Sequence, residues 1–250
     1  MPIARRLMAV GVAAPPFTPA SISGLRFRID GATVTSWADL VAGNNGVPHT
    51  TPARPVYRAS AVNGLGAVEF AGGQSLDFPI ASLISAKDTY TLVTVTHPTD
   101  FNSYPIMMTY PISSGWSWIV EYDTNGNVYW GHQSGAYNLY NAAVPLGSWP
   151  ILAMTKLTAN TAQFKNTGNV ISSFSTLGGG MLATPTMTGS IRLGAYWDDQ
   201  YGVTGHIAEM LYWDRSLNST EMEKVEGYLA WKWGQVANLP SGHPYKGAAP

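Results

Sequence analysis

The chain of 250 residues contains no cysteine. Disulfides and thiolate metal sites are thereby excluded, and stability has to come from packing. Charge is also scarce: Asp, Glu, Lys and Arg make up 12% of residues, and the formal net charge is −1, with no acidic or basic run. Nucleic-acid binding would need clustered Lys and Arg, so it is not expected. No apolar run is long enough to span a membrane as a helix. What is abundant is Gly (26), Pro (17) and aromatic residues (12%). Turn formers and aromatics with little charge suit an all-β sandwich or barrel, and such domains often reach this length as a single unit.

Strand patterns fill most of the chain. Residues 25–29 alternate apolar and polar, as a half-buried strand does. Residues 34–37 read as a short second strand, and 42–46 as a turn. Residues 51–57, interrupted by proline, read as loop or edge. Residues 67–70 and 75–78 flank Gly72-Gly73 as a hairpin-like pair. Residues 89–97, rich in β-branched side chains, make the strongest strand. Residues 106–110, 116–122 and 127–130 continue the pattern, with Asp123-Thr-Asn-Gly126 a turn before the last. Residues 150–156 and 161–165 form another pair, a turn at 166–169 leads into 170–174, and 190–196 and 206–213 complete about a dozen strands. No internal repeat or linker divides them.

One helix is expected, over about 218–233. Asn218 is a good N-cap, Glu221 completes a capping box, and Leu217 with Met222 is placed as a hydrophobic staple. Met222, Val225, Leu229 and Trp233 form an apolar stripe that must rest on something apolar, such as a sheet. Gly234 supplies a left-handed C-cap, and Pro240 bars continuation.

The first 22 residues read differently. Arg5-Arg6 and the short apolar stretch from Leu7 to Ala14 resemble a weak signal peptide, but they run directly into Pro15-Pro16. An extended assembly arm over 1–22, lying on a partner or a neighbouring subunit, is the favoured expectation. Arg5, Arg6, Leu7 and Phe17 would be its contact residues. A retained signal peptide is the lesser one.

Several segments together resemble the concanavalin A-like, laminin-G-like jelly-roll family, particularly versions found in bacteriophage virion proteins (capsid decoration, head-fibre or tail). They are Ser36-Trp-Ala-Asp-Leu40 with Gly43-Asn-Asn-Gly46, Arg54-Pro-Val-Tyr57, Gly66-Ala-Val-Glu-Phe70, and above all Gly205-His-Ile-Ala-Glu209 through Trp231-Lys-Trp-Gly234 to His243-Pro-Tyr-Lys246. The resemblance implies a two-sheet antiparallel jelly-roll sandwich over 23–250, with six or seven strands in each sheet and glycan contacts, where they occur, on loops or the concave face. Many relatives are only structural or adhesive, so the fold leaves the function open.

Catalytic patterns are thin. Glycoside hydrolases of this superfamily carry Glu-x-Asp-x-x-Glu on one strand; Glu121-Tyr-Asp123 starts the pattern, but Gly126 stands at its third carboxylate. There is no nucleophile elbow. Asp198 and Asp199 are weak calcium candidates; otherwise no metal or cofactor is expected. Glu209 and Arg215 are expected to make an ion pair or backbone bonds before the helix. The best binding hint is aromatic residues mixed with amides and carboxylates in two expected loops, since sugars stack on rings while polar groups take their hydroxyls. These residues are Tyr137, Asn138 and Tyr140 in one loop, and Trp197, Asp199 and Tyr201 in the other. A packed loop or a subunit interface fits the same composition.

The leading expectation is a non-enzymatic, homo-oligomeric virion surface protein, attached to other virion proteins through its arm and contacting host or environmental glycans. A free, secreted lectin-like module is the alternative, with a glycan-cleaving enzyme third.

Overall fold

The computed structural model describes residues 17–31, 37–50, 54–102, 104–112, 115–132, 136–140, 144–158, 161–174, 186–196 and 198–250. Among them, fifteen strands form two antiparallel sheets. The eight-stranded sheet holds β1 (Leu25–Asp30), β3 (Val56–Val62), β4 (Leu65–Ala71), β6 (Tyr90–Asp100), β11 (Ile151–Lys156), β12 (Ala162–Asn166), β13 (Asn169–Phe174) and β15 (Thr204–Trp213), in the order β13-β12-β11-β6-β15-β4-β3 with β1 also on β15. The seven-stranded sheet holds β2 (Val47–Pro48), β5 (Leu76–Phe78), β7 (Ile106–Ile112), β8 (Gly115–Tyr122), β9 (Val128–His132), β10 (Ala136–Tyr140) and β14 (Ile191–Leu193), in the order β10-β9-β8-β7-β14-β5-β2. A single-turn helix, α1 (Ala81–Ile84), lies between β5 and β6; α2 (Ser219–Lys232) follows β15. The expected all-β jelly-roll sandwich with one C-terminal helix is what the chain forms.

Two apolar layers result. Phe27, Phe70, Phe78, Trp118, Trp130 and Tyr212 belong to the core between the sheets. Val93, Val95, Ile151, Leu211 and Trp213 on the other face of the eight-stranded sheet pack with Met222, Val225, Leu229 and Trp233 of α2. Strands covered on both faces lose their polar alternation. That is why all six residues of β11 and the first seven of β6 are buried. Buried polar groups in these strands find partners: Thr91 accepts from Leu217 N at 3.0 Å, and Thr96 pairs with the Tyr122 hydroxyl at 2.8 Å.

The helix forms as its caps dictate. Asn218 Oδ1 accepts from Glu221 N at 2.9 Å, and Glu221 Oε2 accepts from Asn218 N at 3.1 Å. Gly234, at φ 70°, ends it. Gly227 in its middle lets the C-terminal exit lie close: a Cβ there would stand 2.5 Å from that of Tyr245. Trp231 Nε1 then donates to Tyr245 O at 2.9 Å.

Four expectations change. Residues 67–70 and 75–78 do not pair, because Gly72 and Gly73, both left-handed, carry the chain from β4 in one sheet to β5 in the other. The segment at 136–140 is an edge strand and not a loop. Glu209 and Arg215 do not pair with each other, but Arg215 does make the expected backbone bonds, to Ser23 O at 3.0 Å and Ser216 O at 3.2 Å. It also bonds Glu221, while buried Glu209 takes Arg28 and Lys232 at 2.8 Å each. Phe17 does not lie in an arm, since its ring packs edge-on to Tyr228 of α2 and Ile22 is buried in the same layer. Arg5, Arg6 and Leu7 lie outside the described residues, as do residues 34–36 of the expected second strand.

Candidate functional site

The helix α2 covers the eight-stranded sheet, and among the described residues no helix lies on the outer face of the seven-stranded sheet. Antiparallel register sets what stands on that face. One row of paired residues crosses all seven strands: Val47, Asp77, Arg192, Thr109, Ile119, Gly131 and Tyr137. The next includes Glu121, Tyr129 and Leu139.

Arg192 organises the row. Flanked by the core residues Ile191 and Leu193, its side chain leaves the core yet stays 3% exposed. Its guanidinium grips Asp77 with two bonds, Nε to Oδ1 at 2.8 Å and Nη2 to Oδ2 at 3.1 Å. Such forked pairs fix geometry as well as charge. His49 Nδ1 touches Arg192 Nη2 and lies 3.0 Å from Asp77 Oδ2. The remaining nitrogen, Nη1, donates to Tyr196 O at 3.0 Å and lies 3.7 Å from Asp199 Oδ1. Ser75 Oγ donates to the same Asp199 oxygen at 2.6 Å. A buried cation thus pins the loop after β14 onto the sheet.

That loop carries the aromatic surface. Gly194, at φ 93°, ends the strand, and Tyr196 N donates to Gln200 O at 2.9 Å to close a tight turn. Asp199 and Tyr201 both have left-handed backbones, at φ 61° and 52°. For a bulky residue such as Tyr201 this conformation is strained, and strain persists only where surroundings impose it. Tyr196 packs on Ile119, and the Tyr201 ring meets it edge-to-face at 5.7 Å. Tyr201 remains 45% exposed.

Glu121 stands two residues along β8 from Ile119. Burial, and then the charge of Asp123, push its carboxyl up to about 7. Asp123 itself is held low because Asn125 N, Asn127 N and Asn127 Nδ2 all donate to it, an opposing trend to its own desolvation. Asp123 is therefore a turn residue, as its sequence suggested.

The residues singled out from sequence sort unevenly. Tyr137 is in register with the Ile119–Arg192 row, whereas Asn138 and Tyr140 pair with Trp130 and Val128, both buried in the core. Strand alternation therefore separates the three. Asp199 is a loop anchor, and Asp198 Oδ1 accepts from Gln200 N at 3.2 Å. With Asp199 committed to Ser75 and Arg192, no group of three His, Asp or Glu able to hold a metal occurs among the described residues. Trp197 lies outside them. Sequence reading missed Arg192, Asp77 and His49; the one available signal was a lone Arg between two apolar residues on a short strand.

No protein-family model matches the chain, and no curated protein sequence matches it significantly. Solved structures do resemble it. Domain 4 of AbnA, a GH43 extracellular arabinanase from Geobacillus stearothermophilus in complex with arabinotriose, has a TM-score of 0.61 at 15% identity, over 79% of this chain and 95% of that one. Trypanosoma rangeli sialidase in complex with sialic acid gives 0.59 at 14% identity, over 88% of this chain and 36% of the sialidase. The botulinum neurotoxin type G receptor binding domain gives 0.57 at 10% identity, over 82% and 51%. At these identities the likeness is one of fold.

Proposed function

We propose that the chain is a non-enzymatic glycan-recognition module displayed on a bacteriophage virion, as capsid decoration or part of a head or tail fibre. The observation that carries glycan recognition is the outer face of the seven-stranded sheet, where Arg192 and Asp199 hold Tyr196 and Tyr201 as a fixed aromatic surface. Rings held in advance cost little ordering entropy when a sugar stacks on them. The fold's occurrence in an arabinanase domain solved with arabinotriose supports the reading.

Virion placement rests on the resemblance of residues 205–246 to phage proteins and on an assembly role for residues 1–16 toward other virion proteins. Immunogold labelling of purified particles tests it; labelling confined to the culture medium favours a free, secreted lectin. Light scattering of the purified protein tests the expected homo-oligomer.

Binding of at least one array glycan by the wild type, lost for that glycan in Tyr201→Ala and in Tyr137→Ala, is the expected result. A blank array overturns the glycan reading. The raised carboxyl of Glu121 gives the glycan-cleaving reading its one specific observation. Reducing-end release from a polysaccharide panel, abolished by Glu121→Gln, would establish that activity in place of simple binding.

A further inference from the structure

We propose a second carbohydrate site, for neutral oligosaccharides, on the opposite side of the sandwich from the Tyr196–Tyr201 surface. A cleft of about 360 Å³ opens where the β12–β13 turn, the segment entering β11 and the chain after α2 meet. Its volume falls within the range of about 300–1,000 Å³ typical of small-molecule sites. None of the ten residues lining it is charged.

Trp149 supplies the platform. One of its faces stacks on His97, with ring centroids 4.5 Å apart and planes 20° from parallel. His97 is held in turn by its Nε2 contact with Gly147 O at 3.1 Å. The indole lines the cleft with its orientation already set, as stacking on the C–H face of a sugar requires.

Asn166 and Asn169 supply polar groups from a strained turn. Thr167 and Gly168 between them have φ of 47° and 81°, the left-handed pair of a two-residue hairpin turn. A β-branched residue is an outlier there, and such strain gathers at binding sites. Thr167 is kept in place by β11: its N–H donates to Ile151 O at 2.7 Å, and its Oγ1 accepts from Ile151 N at 3.1 Å. Gly168 rests against Pro240 so closely that a Cβ would meet its Cδ at 2.9 Å.

The polar atoms are left for a ligand. Asn166 Oδ1 accepts from Thr167, but Asn166 Nδ2 makes no hydrogen bond among the described residues. The same holds for Asn169 Oδ1, Asn238 Oδ1 and Trp149 Nε1. Two donors and two acceptors around a fixed indole match the hydroxyls of a neutral sugar, and the uncharged lining gives an anion or cation no partner.

The test is titration of the full chain with neutral hexasaccharides of glucose, xylose, mannose and galactose, followed by indole and amide NMR shifts at 50 and 500 mM salt. At least one should bind with shifts at residues 148–150, 166–169 and 235–238. Affinity should change less than twofold between the two salts. It should fall at least tenfold in Trp149→Ala and in Asn238→Ala, an exposed position whose loss leaves the fold intact, while Val56→Ala, exposed on the far edge strand β3, binds as wild type. Shifts confined to residues 194–203, or no binding of any of the four sugars, would overturn the second site. The first of these outcomes leaves the Tyr201 surface standing, so the two proposals fail separately.

Discussion

Trp233 donates its indole N–H to Glu209 at 2.9 Å, joining the last turn of the helix to the middle of β15. Glu209 is fully buried and also takes Lys232 at 2.8 Å and Arg28 Nε at 2.9 Å. Burial pushes its carboxyl up, against the pull of Lys232 and Arg28. Removing one member of such a cluster strands the others' charges in a dry layer. Glu209→Ala should therefore destabilise the protein by about 3–5 kcal/mol, read as a lower urea midpoint at unchanged slope.

Gly227→Ala tests the lock between helix and exit. Alanine is the better helix former by about 1 kcal/mol, so an isolated helix would gain stability. Here the added methyl would meet Tyr245 at 2.5 Å, and the exit must shift. A net loss of about 1–3 kcal/mol is expected by chemical denaturation. Gly227→Ala combined with Tyr245→Gly should recover part of it.

Glu121 gives the stability a pH dependence of defined sign. Its folded carboxyl titrates at about 7, above its ordinary value of 4.5, because burial disfavours the charge. The folded state therefore holds a proton that the unfolded chain releases. This contribution is complete below about pH 4.5 and is lost as pH rises through about 7. Glu121→Gln should raise the urea midpoint at pH 8 by an amount equivalent to about 1–2 kcal/mol, discounted for partial exposure, and should change it little at pH 4.5.

Asp199 is a positioning residue for the Tyr196–Tyr201 surface. Asp199→Ala removes the acceptor of Ser75 and the charge beside Arg192, at a left-handed position where alanine is strained. A loss of about 1–2 kcal/mol in stability and at least fivefold in glycan affinity is expected. Asp199→Asn, which keeps the acceptor and tolerates the backbone, should restore most of the affinity. Equal loss in both variants would mean that Asp199 contacts the sugar directly.

The helix and most strands were legible because their signals are local. Asn218, Glu221 and Gly234 act within one or two turns of chain, and the strand segments keep the alternation or β-branching that burial on one face or two requires. The candidate site was only half legible. Tyr201 and Asp199 stood out by composition, but the need for Ser75 and Arg192 to hold them did not. Asn138 and Tyr140 seemed equivalent to Tyr137 until pairing with Trp130 and Val128 put them in register with the core.

The sequence alone determined an all-β sandwich with one capped helix, since turn formers, period-two patterns and caps are short-range physics. Which sheet the helix would cover was decided by tertiary packing. The same packing made Gly72-Gly73 a bridge between sheets and brought Trp149, Asn166 and Asn238 to one cleft. Those contacts join residues far apart in the chain, and no local pattern encodes the register that unites them.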